Sequence, residues 1–253
     1  MQNLKKYSIA LLFFVGCTCS TIFGNELFNK ANQEYNEKNY PQAIRLYDSL
    51  VGEGYADAMV YYNLGNAYYK DGQLAKSLLW YERALRLDPT NEDIKHNIHF
   101  VNQQTIDKME TQPDFFLKTW ILAIQGLFSG KTWATISIVL GVILCIFIVL
   151  MLLLPSAGWR KSMFTMACIF FVFVVLSVIF ASLQQKNANR TDEAIIMRKI
   201  LTVKSTPDVS GTDLFTVHEG LKVQITDQAG SWIEVRFANG NKGWIQLEFV
   251  EII

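Results

Sequence analysis

The pattern of hydrophobic and polar positions changes three times along this chain. Between residues 25 and 110, apolar residues recur at helical spacing among charged ones, whereas the windows 132–154 and 163–183 contain no charged residue. After residue 192, short runs rich in β-branched and aromatic residues are separated by turn residues. The helical period predicts amphipathic helices, uncharged windows of this length predict membrane spans, and the short runs predict strands. The sequence therefore predicts a multidomain membrane protein with an all-α domain, two transmembrane helices and a small all-β domain.

The helical region carries the same hairpin pattern twice, at a spacing of 34 residues. Small residues recur where two helices must approach closely, and large residues recur where they wedge between neighbouring helices. The matched pairs include Ala31 with Gly65, Asn32 with Asn66, Tyr35 with Tyr69, and Tyr47 with Tyr81. A hairpin of this kind cannot bury its apolar face alone, so adjacent hairpins stack into a solenoid with a shared core.

The second copy has the composition of a known repeat. It reads Tyr61-x2-Leu64-Gly65-x2-Tyr68 and continues with Ser77-x3-Tyr81, Ala84 and Pro89. This resembles the tetratricopeptide repeat, in which two helices form each unit of an all-α solenoid. A further helix after Pro89 has an apolar stripe at Ile94, Ile98 and Val101, so it caps the solenoid as an incomplete third repeat. We therefore assign residues 25–110 to a tetratricopeptide-repeat domain with a capping helix.

The resemblance also implies a binding groove, because ligand contacts in this family come mainly from the first helix of each hairpin. Carried over by position, the predicted peptide-binding residues are Asn32, Tyr35, Asn36, Tyr62, Asn63, Asn66, Tyr69 and Lys70. Asparagine amides suit an extended peptide, since each can donate to and accept from its backbone. The carboxylate clamp of some relatives needs cations where this chain has Phe28 and Asp93, so we do not expect recognition of a C-terminal carboxylate. The alternative is that Tyr35 and Tyr69 only pack the helices.

The two uncharged windows are each long enough to cross a hydrocarbon core of about 30 Å. The connection between them, residues 155–162, contains Arg160 and Lys161 and no acidic residue, which predicts a cytoplasmic loop. Residues 1–24 resemble a secretory signal, with two lysines before an apolar run. Cys17 also fits a loose lipoprotein box, so the segment could be cleaved, lipidated or retained. Both soluble domains are therefore expected on the periplasmic side of a bacterial inner membrane.

Residues 111–131 form an amphipathic segment before the first span. Its apolar residues at helical spacing are Phe116, Trp120, Ile124, Leu127 and Phe128. Lys118 and Gln125 interrupt the apolar run, so the segment is not expected to span the membrane. A helix lying in the outer membrane interface fits this pattern, with Trp120 at headgroup depth. The alternative is a helix packed on the repeats.

The tail, residues 193–253, follows a polar linker at 184–192. Its β-rich runs are 194–203, 214–217, 222–226, 232–238 and 243–246. Asn239-Gly240 between two of them is a strong hairpin signal. The order of Pro207, Leu214-x5-Gly220, Trp232-x2-Val235 and Gly243-Trp244 resembles the bacterial SH3-like domain, a small all-β barrel. His218 is expected to be an ordinary residue of this barrel.

Composition and the absence of catalytic motifs reduce the range of functions that we expect. The formal net charge is zero, so nucleic acid is not an expected partner, and the four cysteines all lie in apolar segments rather than in a disulfide framework. No nucleophile constellation, phosphate loop or paired-carboxylate motif is found, so we expect no enzymatic activity and no cofactor. Glu92, His96 and His99 fall at i, i+4 and i+7 on one helix, a set that suits zinc. A zinc-dependent exported enzyme is therefore one alternative, and a solvated polar face is the other.

The complete order of segments resembles the BatE family, whose members are encoded in aerotolerance operons of Gram-negative anaerobes and their relatives. That resemblance implies a scaffold in an envelope assembly linked to oxidative-stress tolerance. It also implies partners among von Willebrand A-type membrane proteins of the same operon type. A remaining alternative is a peptidoglycan-anchoring protein that grips the cell wall through its SH3-like tail.

Overall fold

The computed structural model describes residues 26–108 and 116–253. The signal segment predicted at 1–24 and most of the link before residue 116 lie outside the described residues. The described chain forms two compact units, of which the first combines residues 26–85, 92–108 and 192–253 and the second combines residues 86–91 and 116–191. The repeats and the C-terminal sheet therefore belong to one unit, although the sequence analysis treated them as separate domains.

The first unit begins with five helices. They are α1 at residues 26–36, α2 at Tyr40–Gly52, α3 at Ala58–Lys70, α4 at Leu74–Leu87 and α5 at Glu92–Asn102. Pro41 lies in the first turn of α2, where its missing N–H costs no hydrogen bond. Asp57 caps α3, because its side chain accepts a hydrogen bond from the Met59 N–H at 2.8 Å. The predicted helical hairpins are confirmed, and α5 follows them as a single helix.

The hairpins share a core in which small and large residues fit together as the 34-residue spacing predicts. Tyr47 and Tyr81 are each 1% exposed although they are large. The ring of Tyr81 lies against Gly65 so closely that a Cβ there would come within 2.6 Å of the ring atom Cδ1. Only glycine permits this approach, and the equivalent position in the first repeat is Ala31, which is also fully buried.

The C-terminal region is a seven-stranded sheet in which all pairings are antiparallel. Its strands are β1 at Glu193–Ile196, β2 at Ile200–Lys204, β3 at Asp213–His218, β4 at Lys222–Ala229, β5 at Trp232–Arg236, β6 at Lys242–Gln246 and β7 at Val250–Ile252. The strand order is β3-β2-β6-β5-β4-β1-β7. The hairpin at Asn239-Gly240 is confirmed between β5 and β6, with Gly240 at φ 87°.

Two strand boundaries differ from the sequence analysis. The run 194–203 is two strands, because the chain turns between Ile196 and Ile200. Arg198 and Lys199 lie in that turn and interrupt the apolar run, a signal that the prediction of one continuous strand overlooked. The last strand, β7, was not predicted; it pairs with β1 and closes that edge of the sheet.

The sheet docks on the outer surface of the repeats. Ala75 and Leu79 of α4 are buried in a cluster with Ile195 of β1 and the C-terminal residue Ile253. Gly220, at φ 88°, lies in the turn before β4, where a Cβ would come within 2.9 Å of Thr105. A left-handed conformation and a close approach therefore both require glycine at this position.

Polar contacts accompany this apolar patch. The Asp107 carboxylate accepts from the backbone N–H of His218 at 2.5 Å and lies 3.0 Å from His218 Nδ1. His218 lies in strand β3, as expected of a barrel residue, and its backbone and ring also contact the end of the helical domain. Arg83 of α4 donates to the Ile252 carbonyl at 2.5 Å.

Lys222 forms the third polar contact between the two domains. Its ammonium lies 2.9 Å from a Glu82 oxygen of α4 and 3.2 Å from a Glu193 oxygen of β1. Burial lowers the pKa of Lys222, but the two carboxylates outweigh burial and raise the pKa above its ordinary value. Lys222 is therefore held charged between the domains.

The second unit contains α6 at Phe116–Gln125, α7 at Gly130–Leu153 and α8 at Ala157–Ala188. Helices α7 and α8 are long and apolar enough to cross a membrane. Residues 154–156 alone connect them, so the loop predicted at 155–162 is mostly the first turns of α8. The linker predicted at 184–192 is likewise helical as far as Ala188. Charged residues set the predicted boundaries, but a helix can continue beyond the hydrocarbon core with charges in its end turns.

The contact between Gly65 and Tyr81 generates a stability prediction. Gly65→Ala forces the buried Tyr81 ring to shift, and overpacking of this kind costs about 1–3 kcal/mol. The matched control is Gly52→Ala at the end of α2, where an added Cβ meets no atom within 4 Å. Thermal unfolding of the detergent-solubilised full chain should show a lower midpoint for Gly65→Ala only. Equal midpoints for the two variants would contradict the packing described.

The ion pairs of Lys222 with Glu82 and Glu193 generate a second stability prediction. Lys222→Met removes the cation that lies between Glu82 and Glu193, so we expect a loss of about 1–2 kcal/mol. This is less than for a fully buried pair, because the Lys222 side chain is 39% exposed. The control is Lys242→Met, which breaks an ion pair with Glu234 inside the sheet. Urea unfolding should separate the two variants at neutral pH. Because the lysine pKa is raised, the stabilisation is complete below the ordinary pKa of 10.5 and should disappear as the pH rises above it.

Candidate functional site

The candidate site is a groove formed by the facing sides of α1, α3 and α5. One part is a cavity of about 330 Å³, lined by Asn32, Tyr35, Asn36, Tyr47, Asn63 and Asn66. The other is a cavity of about 250 Å³, lined by Tyr35, Asn66, Tyr69, Lys70, Tyr81, His96, Asn97, Phe100 and Val101. Tyr35 and Asn66 line both cavities, so the two parts are continuous. We call these thirteen residues the groove.

Seven of the eight predicted binding residues line the groove. The exception is Tyr62, whose hydroxyl accepts from Asn97 Nδ2 at 3.1 Å and whose ring packs against Tyr81 with centroids 5.8 Å apart. Tyr62 therefore contacts two residues of the groove without lining the groove itself. The prediction that these residues bind a peptide stays a prediction.

The eight predicted binding residues include none from α5, which was predicted as an incomplete third repeat that caps the solenoid. His96, Asn97 and Phe100 line the groove from that helix. The signal was present, because one further step of 34 residues leads from Tyr62 to His96 and from Asn63 to Asn97. The incomplete third repeat predicted at this helix therefore also carries groove positions, which the list of predicted binding residues left out.

The same hydrogen-bond pattern recurs in both repeats. Asn32 Oδ1 accepts from the Tyr47 hydroxyl at 2.5 Å and from Asn63 Nδ2 at 3.1 Å. One repeat later, Asn66 Oδ1 accepts from the Tyr81 hydroxyl at 2.6 Å and from Asn97 Nδ2 at 3.1 Å. The accepting asparagine, the tyrosine and the donating asparagine of the first network are therefore each 34 residues before their counterparts in the second.

This pattern fixes the orientation of two amides. Each asparagine oxygen is occupied by two donors, so the Nδ2 groups of Asn32 and Asn66 are left facing away from those contacts. Neither Nδ2 has an acceptor among residues 26–108 and 116–253. Burial raises the pKa of Tyr47 to about 12 and likewise raises that of Tyr81, so both hydroxyls remain protonated donors. The groove thus presents hydrogen-bond donors at two points, one in each repeat.

The charges of the groove have one sign. Among the described lining residues there is no Asp or Glu, whereas Lys70 lies at one end beside Tyr69, with its Nζ 5.8 Å from the ring centroid. His96 lines the same end. The tyrosine rings and the half-exposed Phe100 supply apolar surface. The arrangement suits a ligand rich in acceptors, such as the carbonyl oxygens of an extended chain, with a neutral or acidic side chain near Lys70.

The end of the groove is joined to the docked sheet through a short segment. Gln104 Nε2 donates to the Tyr69 hydroxyl at 3.1 Å, and the Tyr69 ring packs on Phe100 with centroids 5.7 Å apart. Three residues after Gln104, Asp107 binds His218 of the sheet. The wall of the groove at Tyr69 is therefore held by the segment that also contacts the sheet.

The zinc alternative does not fit the geometry. In the described part of the chain, no three His, Cys, Asp or Glu residues lie close enough to hold a metal ion. Glu92 pairs with Lys95 at 2.8 Å, and His99 contacts Gln103 at 2.9 Å, while His96 lines the groove. The candidate metal set of Glu92, His96 and His99 therefore stays a prediction that this geometry does not support.

Comparisons with known proteins agree with the two domain types. A family model described as tetratricopeptide repeat matches residues 28–92, and one described as bacterial SH3 domain matches residues 201–251. The Hsp70-Hsp90 organizing protein of Triticum aestivum is 34% identical over 61 residues, which are 24% of this chain and 10% of that protein. The chain thus contains tetratricopeptide repeats and a bacterial SH3-like domain, which are domains that bind other molecules and are not typically catalytic.

Proposed function

We propose that this chain is a non-enzymatic membrane scaffold whose groove holds an extended segment of a partner protein. The observation that carries the proposal is the repeated network around Asn32 and Asn66. It directs two amide donors into one groove, where they are free to bind carbonyl oxygens of a peptide. An extended chain offers carbonyl groups along its length, so it matches donors placed on successive repeats.

The surroundings of the donors favour one class of segment. Tyr35, Tyr69 and Phe100 provide rings for apolar side chains, and Lys70 with His96 favours an acidic residue at that end. The described lining residues carry no carboxylate that would repel such a residue. The proposed ligand is therefore an extended segment with apolar side chains and an acidic group near Lys70.

The name of the similar wheat protein supports an adaptor role in general terms. Its name describes a protein that organises Hsp70 and Hsp90, that is, one that brings other proteins together. Because the similarity covers a tenth of that protein, the partners of this chain are not inferred from it.

For the location, we propose the bacterial inner membrane with both soluble domains in the periplasm. Helices α7 and α8 support membrane insertion, and Arg160 with Lys161, close to the short connection between them, supports a cytoplasmic position for that connection. The resemblance to the BatE family extends the proposal to an envelope complex linked to aerotolerance, with von Willebrand A-type membrane proteins as partners.

The second candidate function is anchoring to peptidoglycan through the SH3-like domain. The match to bacterial SH3 domains favours it, as do the exposed apolar side chains of Ile200, Val209 and Leu214 on that domain. In this case the repeats would recruit a partner to the cell wall rather than to another membrane protein.

The groove is tested by exchanging its donors for acceptors. Asn32→Asp with Asn66→Asp keeps an oxygen for each tyrosine but replaces the free amide by a second carboxylate oxygen, which repels peptide carbonyl groups. A photocrosslinking residue at Asn36, an exposed position of the groove, reports the bound partner in intact cells. We expect a discrete crosslinked protein, identified by mass spectrometry, that disappears in the double variant.

Two controls make this test specific. Asn102→Asp with Asn241→Asp adds the same charge outside the groove and should preserve the crosslink. A photocrosslinking residue at Arg45, on the outer helix α2, should not give the same product. Persistence of the Asn36 crosslink in the groove variant would contradict the proposal. Cosedimentation of the purified chain with peptidoglycan that is unaffected by the groove variant would favour the second candidate.

The topology is tested by cysteine labelling in a chain whose four native cysteines are replaced by alanine. Single cysteines at the exposed positions Glu53 and Gln228 should react with a membrane-impermeant thiol reagent in intact spheroplasts. A cysteine at Ser156, between α7 and α8, should react only after the membrane is permeabilised. Labelling of Ser156 alone in intact spheroplasts would reverse the proposed orientation.

A further inference from the structure

Helix α6 ends in a cluster of hydrogen bonds that its own sequence does not supply. The last carbonyl groups of a helix have no partner within the helix. Here the Gln125 carbonyl accepts from the Trp133 indole N–H at 3.0 Å and from Gln184 Nε2 at 3.0 Å. Gln184 Nε2 also donates to the Phe128 carbonyl at 3.3 Å. Donors from α7 and α8 therefore satisfy the end of α6 and the turn after it.

The donors are buried, which is unusual for polar groups beside two apolar helices. Gln184 is 8% exposed and Gln125 is 5% exposed, and Trp133 is packed between Phe128 and Phe180. In water these carbonyl groups would bind solvent, whereas at a hydrocarbon boundary each unsatisfied carbonyl costs several kcal/mol. An internally satisfied turn is therefore what the edge of a bilayer requires.

The position of the cluster along the spans agrees with this reasoning. A Cβ at Gly130, the first residue of α7, would lie 3.3 Å from Cβ of Gln184. Gly130 stands just before the uncharged window 132–154, and Gln184 stands just after the uncharged window 163–183. The end of α6 is therefore held at the level at which both apolar windows end.

The rest of α6 carries apolar side chains that the described chain leaves exposed. Phe116 and Trp120 are 65% and 69% exposed, and Ile121, Leu122 and Ile124 are each nearly half exposed. Aromatic and aliphatic groups of this kind, continuous with the outer surface of two spans, match the boundary between acyl chains and headgroups.

We propose that α6 lies on the bilayer as an interfacial anchor, with its apolar side chains against the acyl chains, and that Gln184 is the positioning residue that holds it there. The inference rests on the proposed membrane location of α7 and α8. It adds a lipid surface as the partner of α6 and gives a role to the polar residue that follows the second span.

The test places a fluorescent probe on a cysteine at Ile121 of the full chain, in the background without native cysteines. The protein is reconstituted in phosphatidylcholine–phosphatidylglycerol vesicles whose acyl chains are brominated either near the headgroup or near the chain end. We expect strong quenching by the lipids brominated near the headgroup. A probe at Val142, within α7, should be quenched by the lipids brominated near the chain end, and a probe at Glu53 by neither.

The role of Gln184 is tested in the same vesicles. Gln184→Leu removes both hydrogen bonds and should abolish the headgroup-level quenching at Ile121, while the neighbouring exposed Gln185→Leu should leave it unchanged. Trp133→Phe removes only the indole donor, which leaves the aromatic packing in place, and should reduce the quenching partly. Unchanged quenching in Gln184→Leu would overturn the positioning role, whatever the result for Trp133→Phe.

The two levels of the proposal fail in different ways. If the Val142 probe is not quenched, α7 does not enter the bilayer and the proposed location is wrong. If Val142 is quenched but Ile121 is not, the spans are inserted and α6 packs on protein instead, either on the repeats or on a second copy of the chain. That result would overturn the anchor while leaving the scaffold proposal standing.

Discussion

The contact between Tyr81, Gly65 and Asn66 links the stability of the repeats to the chemistry of the groove. Tyr81 is buried because its ring fills the space that Gly65 leaves between two helices. A buried hydroxyl must find a hydrogen-bond partner, and the nearest acceptor is the side-chain oxygen of Asn66, one residue after that glycine. Packing therefore determines which side of the Asn66 amide is available to a ligand. The hydrogen bond recurs in the first repeat between Tyr47 and Asn32, so the groove has the 34-residue spacing of the core.

The sheet extends this constraint beyond the repeats. Short tetratricopeptide arrays have terminal surfaces that need a cover, because each hairpin is stabilised mainly by its neighbours. In this chain Leu79 and Ala75 of α4 are buried by Ile195 and Ile253 of the SH3-like domain. The segment from Gln104 to Asp107 connects a groove tyrosine on one side with His218 on the other. The SH3-like domain thus acts structurally on the domain that forms the groove, and the two cannot be regarded as independent modules joined by a linker.

The sequence predicts the elements of this structure better than their association. The 34-residue spacing, the uncharged windows and Asn239-Gly240 each depend on local residues, and the helices, candidate spans and hairpin follow from them. The docking of the sheet depends on residues such as Glu82 and Lys222, which are distant in the sequence and individually ordinary. The contact of His218 with Asp107 was not predicted for the same reason, because Asp107 lies in another domain. The groove was predicted through the resemblance to a family, but the orientation of its amides required the positions of the tyrosine hydroxyls.

In both the groove and the end of α6, buried hydrogen bonds occupy acceptor oxygens. The groups left at the surface differ between the two places. In the groove, tyrosines and asparagines occupy the amide oxygens of Asn32 and Asn66, so that the amide N–H groups of these two residues remain available. At the end of α6, Gln184 and Trp133 occupy the carbonyl oxygens of Gln125 and Phe128, so that these two groups are satisfied within the protein. In both places the buried hydrogen bonds occupy one kind of polar group, and the proposed functions rest on the groups that are left at the surface. The chemistry of each surface is therefore set by the side chains behind it, which explains why a list of exposed residues alone would not distinguish a peptide site from a membrane anchor.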